Sequence, residues 1–142
     1  MLKAGAIVLS IGAGLQCIAS ILSLIISIVG NAPILNLVFT DKEISALDTK
    51  VIATTKSLAV LNNSGAVLTT VFVLVIIWTS LNNGARWAFW TLLFAGIWGH
   101  SLWFVADSYI GHETLVVNIV LSAIFLVGIS LSGYGIFRQV DA

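Results

Sequence analysis

The chain has 142 residues, of which 59% are hydrophobic and 8% charged, and its formal net charge is zero. Soluble domains carry roughly 25% charged residues, so this composition excludes an ordinary water-soluble domain and indicates lipid as the main solvent. The zero net charge gives no reason to expect nucleic acid as a partner. The single cysteine, Cys17, excludes an internal disulfide and paired-thiol chemistry.

Four apolar stretches are long enough to cross a bilayer, since about 20 helical residues span a hydrocarbon core of about 30 Å. Backbone polar groups in lipid must be satisfied within their own segment, so each stretch should be helical. The predicted fold class is therefore all-α, a single transmembrane domain (1–142) formed by an antiparallel bundle of four transmembrane helices. The predicted spans are residues 4–29, 57–81, 87–106 and 114–137. The first apolar run is longer than the roughly 7–15 residues of a signal-peptide core, so we interpret it as a retained span.

The long connection, 31–56, contains a helix-start signal. Thr40 and Glu43 have the spacing of a capping box, and an apolar stripe at helical spacing follows them. We therefore predict that the second helix begins near Asp41 and extends beyond the membrane. Pro33 should end or kink the first helix, and the apolar segment 33–39 is the candidate cover for the stripe.

The other two connections, 82–86 and 107–113, are short, which makes the last three helices antiparallel neighbours. The six basic residues divide evenly between the two sides of the membrane: Lys3, Arg86 and Arg138 on one side, and Lys42, Lys50 and Lys56 on the other. The arginines lie directly at helix ends, whereas the lysines of the long loop are interleaved with acidic residues. The positive-inside rule then favours both termini in the cytoplasm.

Polar side chains inside apolar spans are costly and are candidates for function. Besides Gln16, near the middle of the first span, the candidates fall in the half of the bilayer that faces the long loop: Asn62, Asn63, His100, Asp107 and Asn118. His100, Trp103 or Phe104, and Asp107 share one face of the third helix. One interpretation is a polar cavity with His100 as its titratable group. The other is hydrogen bonding between helices, worth roughly 0.6–2 kcal/mol per contact.

Small residues at four-residue spacing mark helix-packing surfaces. On the first helix they are Ala6, Ser10, Gly14, Ala19, Ser23 and Ser27, and on the fourth they are Gly128 and Ser132. These ridges suit packing within the bundle and also a seam between subunits. Trp87 and Trp90, beside Arg86, are typical of the aromatic belt at a membrane interface.

No motif indicates a catalytic site, a metal site or a cofactor. His112 and Glu113 lack the second histidine of a zinc-protease motif, and no serine has the setting of a nucleophile elbow. Gly96, four residues before His100, leaves room above the imidazole for a pigment, but one such spacing is weak. We expect no enzyme activity, no cofactor and no bound metal.

The stretch Arg86-Trp87-Ala88-Phe89-Trp90, with Asn118 and Gly128-Ile129-Ser130-Leu131-Ser132, resembles a pattern in small uncharacterised bacterial four-helix membrane proteins. The resemblance covers the last two helices, implies a bacterial inner (plasma) membrane, and implies no activity.

The composition and motifs lead to two expected functions. The first is a non-enzymatic accessory or interaction subunit, associating through the small-residue faces and the long loop as a homo-oligomer or within a membrane complex. The alternative is a small oligomeric transporter or carrier of an ion, lipid or apolar small molecule, with a polar cavity near His100. An enzyme using His100 and Asp107 is disfavoured, because the two are about 10 Å apart along the helix.

Overall fold

The computed structural model describes residues 1–30, 33–109 and 114–138, which form helices and turns with no strand among them. The helices in chain order are α1 (Leu2–Val29), α2 (Pro33–Val38), α3 (Asp41–Ala46), α4 (Thr49–Ile76), a π-helical segment (Ile77–Leu81), α5 (Arg86–Tyr109) and α6 (Leu115–Arg138).

Four of these helices are long and apolar enough to cross a membrane. The mean hydropathy of their most apolar 18-residue stretch is 2.1 in Leu2–Val29, 2.0 in Thr49–Leu81, 1.3 in Arg86–Tyr109 and 2.4 in Leu115–Arg138. Each contains one of the four predicted spans almost completely, so the all-helical class and the four apolar helices are confirmed. A four-helix antiparallel arrangement of the whole chain, and extension of the second helix beyond the membrane, stay predictions.

The capping box at Thr40 is confirmed, but it starts a separate short helix. The Thr40 backbone N–H donates to Glu43 Oε2 (2.8 Å), and the Glu43 N–H donates to Thr40 Oγ1 (3.4 Å). This helix, α3, ends at Ala46, and Leu47 is extended (φ −70°, ψ 147°). The Asp48 carboxylate then accepts the Lys50 backbone N–H (2.7 Å). Side-chain oxygens of this kind start helices, so the second long helix begins at Thr49 and is not continuous from Asp41.

The chain divides into two compact units. The first, Met1–Leu15 with Val71–Ala142, is called the hairpin unit after its α5–α6 pair. The second, Gln16–Thr70, is called the loop unit because it holds the long predicted loop. Helices α1 and α4 each contribute residues to both units. The prediction of a single transmembrane domain stays a prediction.

In the hairpin unit, glycines bring α1 and α6 into close contact. A Cβ added at Gly5 would lie 2.6 Å from the Ser132 backbone nitrogen, and one at Gly128 would lie 2.7 Å from Leu9 Cγ. One at Gly135 would lie 2.6 Å from the backbone nitrogen of Leu2. Helices packed in lipid use small residues in this way, because close approach increases van der Waals contact. The contacts run in opposite chain order, so α1 and α6 are antiparallel.

The α5–α6 pair is also antiparallel and uses glycine as well. The Phe89 ring packs on Gly133, where an added Cβ would lie 2.9 Å from the ring, and the Phe125 ring packs on Gly96. Phe89 also meets Phe137 edge to face, with ring centroids 5.4 Å apart. The buried core of the unit consists of Ala6, Leu9, Ile77, Leu81, Ala88, Phe89, Leu92, Ile129 and Ile136.

The predicted turn at 82–86 is confirmed. The π-helical segment places both Ile77 and Leu81 in the core with no exposed surface, and its wider hydrogen-bond spacing shows in the bond from the Asn82 N–H to the Ile77 carbonyl (2.8 Å). Gly84 then adopts φ 80°. A residue after a helix commonly takes this left-handed conformation, and glycine adopts it without steric cost.

The loop unit has a small core. Leu35 of α2 and Ile44 of α3 are buried together, with Leu47, Ile52 and Ala59 packed against them. Leu35 of segment 33–39 thus covers the start of the predicted stripe, at Ile44 and Leu47, whereas its later residues are exposed: Val51, Leu58 and Leu61. Pro33 is the first residue of α2, a position that suits proline because its missing N–H would have no helical partner there.

The predicted small-residue ridges divide between several environments. Ala6, Gly128 and Ser132 are buried inside the hairpin unit, and the Ser10 hydroxyl donates to the Ala6 carbonyl (2.8 Å). A Cβ added at Gly14 would meet no atom within 4 Å. In the loop unit, Ala19 is exposed and Ser23 half-buried, while Ser27 is buried and donates to the Ser23 carbonyl (2.8 Å).

Candidate functional site

A buried polar cluster joins the end of α5 to the start of α6. Asp107 is 1% exposed and Asn118 is 7% exposed. The Asn118 amide donates to Asp107 Oδ2 (2.5 Å), and the Thr114 hydroxyl donates to Asp107 Oδ1. The Asn118 amide also reaches Thr114 Oγ1 (3.4 Å). Both carboxylate oxygens thus accept hydrogen bonds from α6 or from the residue directly before it.

The position of Asp107 suits its charge. Thr114 directly precedes α6, and the N-terminus of a helix carries a partial positive charge that favours a nearby carboxylate. An unpaired buried carboxylate would be strongly destabilising, whereas one with two donors is satisfied. We call Asp107, Thr114 and Asn118 the α5–α6 clasp. Its chemistry is that of a structural link between two helices.

About two turns along α5 lies a second polar pair. The Ser122 hydroxyl and His100 Nδ1 are 3.0 Å apart, so one of them donates to the other according to the imidazole tautomer. Nε2 forms no hydrogen bond within the described residues. The Phe125 ring lies 5.1 Å from the imidazole, centroid to centroid. Ser122 therefore fixes the orientation of the imidazole and leaves Nε2 as its unused polar atom.

A shallow cavity of about 200 Å³, open at the surface of the unit, lies beside the imidazole. It is lined by Ile97, His100, Ser101 and Phe104 from α5, and by Ser122, Phe125 and Leu126 from α6. The lining is apolar except for one imidazole and two hydroxyls, so the cavity suits an apolar group with a single hydrogen-bonding atom. The space beside Gly96, which the sequence left open for a pigment, is occupied by the Phe125 ring.

The structure brings together some of the predicted site residues. Asp107 and Asn118 are bonded directly, and His100 lies on the same pair of helices. Trp103 is 41% exposed and is not part of the described lining of the cavity. Asn62 and Asn63 belong to the loop unit, where Asn62 is exposed and Asn63 half-buried. Neither has a side-chain hydrogen bond among the described residues.

Sequence reasoning missed Thr114 and Ser122, whose hydroxyls bond to Asp107 and His100. The signal was present in the predicted span 114–137, where Thr114, Asn118 and Ser122 recur every four residues and therefore fall on one helical face. Asn118 alone was singled out, because hydroxyl residues are common in apolar helices and bond to their own backbone. The missed feature was the polar face that these three residues form together.

The described residues contain no group of three His, Cys, Asp or Glu side chains that could hold a metal ion. His100 and Asp107 make separate hydrogen bonds, to Ser122 and to the clasp. In this arrangement the two groups do not form an acid–base pair. The geometry permits binding in the cavity and linking of helices.

Four helices of this length and hydropathy place the chain among membrane-embedded helical proteins. No family model matches the sequence, and neither a curated protein nor a solved structure is detectably similar to it.

Proposed function

We propose that the chain is a non-enzymatic membrane subunit that associates with a further transmembrane helix through one face of α4. This face consists of Asn62, Gly65 and Thr69, which are spaced by three and four residues and are all exposed. We call it the α4 face. The partner would be a second copy of the chain or another subunit of a membrane complex.

The exposed amide of Asn62 is the observation that carries the proposal. It lies within the predicted span 57–81, where an unpaired amide facing hydrocarbon is costly. The flanking side chains Leu61 and Leu68 are 69% and 59% exposed. A Cβ added at Gly65 would meet no atom within 4 Å, so a neighbouring helix has room to approach. An amide beside a small residue is a typical surface for helix association in membranes.

The hairpin unit supports a non-catalytic role for a different reason. The buried Asn82 Oδ1 has no partner among the described residues, but the polar groups of α5 are paired: Asp107 bonds to Thr114 and Asn118, and His100 bonds to Ser122. These residues link α5 to α6. The α4 face instead presents a polar group that lacks a partner among the described residues.

The test is self-association in liposomes, measured by energy transfer between donor-labelled and acceptor-labelled copies over a range of protein-to-lipid ratios. Gly65→Leu and Asn62→Leu should each weaken association about tenfold or more, since one fills the approach surface and the other removes the amide. Gly99→Leu is the matched control, because a Cβ at Gly99 also meets no atom within 4 Å. Gly14→Leu tests whether the chain associates instead through the small-residue ridge of α1, which includes Gly14.

Association that is weakened by Gly14→Leu and unchanged by Gly65→Leu would move the interface to α1 and contradict the α4 face. If the unsubstituted chain shows no energy transfer, it does not associate with itself, and the partner must be a different protein. Crosslinking from position 65 in native membranes would then have to capture one defined second protein. If neither experiment gives a partner, the proposal fails.

The cavity beside His100 favours a second candidate function, the binding or carriage of a small apolar molecule. Its volume of about 200 Å³ is below the roughly 300–1,000 Å³ of drug-sized pockets, so the ligand would be about the size of one ring. A hydroxyl or carbonyl on the ligand would bond to Nε2. Binding of 4-fluorophenol, followed by fluorine NMR, should be lost in His100→Ala and kept in Ser130→Ala, whose exposed serine lies elsewhere on α6. Equal binding to both variants would contradict this candidate.

For orientation, we propose that both termini face the cytoplasm of a bacterial inner membrane, because Arg86 and Arg138 lie directly at helix ends. Labelling of single cysteines in intact cells tests this. A cysteine at position 42 should react with a membrane-impermeant maleimide, and one at position 84 should react only after lysis. The reverse pattern would invert the topology.

A further inference from the structure

Three basic residues meet at one end of the hairpin unit. Lys3 lies in the first turn of α1, Arg86 begins α5, and Arg138 ends α6. The ends of these helices are adjacent, because Leu2 packs against Gly135 and also approaches Gly84 in the turn before α5. All three basic side chains are exposed. The fold thus gathers cations from three separate parts of the sequence.

Aromatic rings of α6 hold the two arginines. The Arg86 guanidinium lies 5.7 Å from the centroid of the Phe137 ring, and that of Arg138 lies 5.2 Å from the centroid of Tyr134. Arg138 also donates to the Tyr134 hydroxyl. Stacking on an aromatic face restricts a guanidinium and leaves most of its N–H donors free. Both arginines are therefore oriented without being neutralised.

Within the residues that the structure describes, negative charge is distant from this end of the hairpin unit. Asp107 is the only acidic residue that the structure describes in the hairpin unit. It lies 21 residues after Arg86 on the same helix, or about 31 Å along the axis at 1.5 Å per residue. Asp141 lies outside the described residues. The described surface around Arg86 and Arg138 is therefore cationic, and it suits an anionic group.

An exposed aromatic path leads away from the arginines along α5. The Trp90 ring lies 6.3 Å from Phe137 and 6.2 Å from Phe94, centroid to centroid. Trp90 is 48% exposed and Phe94 67% exposed. Residues 90 and 94 are one helical turn apart, so the path follows the axis of a helix that is apolar enough to cross the membrane. An acyl chain has the same direction and chemistry.

We propose that Arg86 and Arg138, with Lys3 beside them, bind the phosphate of an anionic phospholipid whose acyl chain lies along Trp90 and Phe94. Guanidinium groups recognise phosphate through paired hydrogen bonds, and basic residues at a membrane surface attract anionic lipids. This site is independent of the α4 face and of the cavity beside His100. Its occupant comes from the bilayer, because the aromatic path continues from the arginines.

The experiment uses the full chain in phosphatidylcholine liposomes and follows tryptophan quenching by brominated lipids. The measured quantity is the ratio of the association constants of brominated phosphatidylglycerol and brominated phosphatidylcholine. The ratio should exceed one and fall as salt is raised, because screening weakens attraction to an exposed charge. Arg86→Gln with Arg138→Gln should lower it towards one, by about fivefold for each arginine. Lys50→Gln with Lys56→Gln, which removes equal charge from the loop unit, should leave it unchanged.

A ratio of one in the unsubstituted chain, or a ratio that does not respond to salt, would overturn the proposal without any variant. An equal loss in the lysine control would show a general charge effect and would also overturn it. Soluble glycerol phosphate tests whether the site binds a free phosphate ester instead of a lipid. If it displaces brominated phosphatidylglycerol at concentrations that leave the liposomes intact, the ligand is a free phosphate ester. Retained helicity, measured by circular dichroism, is required of each variant, and single Arg86→Gln and Arg138→Gln variants replace a double variant that fails to fold.

Discussion

The hairpin unit and the loop unit contain similar residues and use them differently. In the hairpin unit, Gly5 and Gly128 let α1 and α6 approach closely, and Asn118 bonds to a buried carboxylate. In the loop unit, Gly65 faces open space and Asn62 is exposed. A small or polar residue in an apolar helix therefore stabilises the chain only where a second helix faces it. Where none does, as at Gly65 beside the exposed Asn62, the surface is the one on which we propose that a partner packs.

The largest expected difference between the units is in glycine replacement. Gly5→Leu should destabilise the protein by about 3 kcal/mol, because overpacking against atoms that cannot move costs roughly 1–3 kcal/mol or more. The nearest atoms include the backbone nitrogen of Ser132 at 2.6 Å and the backbone oxygen of Gly128 at 2.8 Å. Gly65→Leu should have almost no effect on the same quantity, the free energy of unfolding in mixed micelles. Equal destabilisation by the two variants would remove the distinction between the units.

Removing the acid of the α5–α6 clasp should have the next largest effect. Asp107→Ala leaves the Thr114 hydroxyl and the buried Asn118 amide without their acceptor, which should cost about 2 kcal/mol of unfolding free energy. Asp107→Asn keeps one acceptor oxygen and should cost less. Asn63→Ala is the control in the loop unit, where no side-chain hydrogen bond is described, and it should cost little. If Asp107→Ala is as stable as Asn63→Ala, the clasp does not stabilise the hairpin unit.

The hydrogen bond between Ser122 and His100 should contribute less to the unfolding free energy than the α5–α6 clasp does. Ser122→Ala should reduce the unfolding free energy by about 0.6 kcal/mol, the average for such contacts between membrane helices. It should also shift the ¹⁵N resonance of His100 Nδ1, which loses its partner at 3.0 Å. Ser130→Ala, at an exposed position on α6, is the matched control. A His100 resonance that moves equally in both variants would argue against the pairing.

Several elements could be predicted because short-range physics determines them. Apolar stretches in lipid must be helical, so the four long helices followed from composition and length. The turn at Asn82-Asn83-Gly84 followed from the conformational freedom of glycine, and the capping box followed from the spacing of Thr40 and Glu43. The break at Leu47 was missed, because the apolar stripe continues through it while the Asp48 carboxylate starts a new helix.

The pairing of polar residues depends on which helices face each other, and a single sequence does not contain that information. Asn62 and Asn118 have the same side chain and both lie in apolar helices. Asn62 is nevertheless exposed, whereas Asn118 is buried beside the Asp107 carboxylate. Likewise, the space beside Gly96 is filled by Phe125 from 29 residues further along the chain. These contacts arise from the antiparallel pairing of α5 and α6.

The smallest expected effect lies in the loop unit, at the start of α3. The backbone N–H of Thr40, and after it the Thr40 hydroxyl, hold the pKa of Glu43 below its usual value by hydrogen bonding to the ionised carboxylate. A carboxylate with a lowered folded pKa stabilises the fold above its unfolded pKa, and this contribution is lost as pH falls through the folded value. Protonation of Glu43 by acid should therefore loosen α3.

Amide protection factors, which correct for the intrinsic pH dependence of exchange, and the Glu43 carbon resonance, both followed by NMR across an acid titration, test this expectation. The protection of the α3 amides should fall as Glu43 becomes protonated, and Glu43→Gln should remove that pH dependence while it keeps a hydrogen-bond acceptor for Thr40. The Ser45 hydroxyl bonds to the Asp41 carbonyl (2.7 Å), so Ser45→Ala serves as a control that alters α3 without altering its titration. Loss of α3 protection at the same pH in Glu43→Gln and in the unsubstituted chain would show that Glu43 is not the source of the acid sensitivity. The distinction between the units would then rest on packing alone.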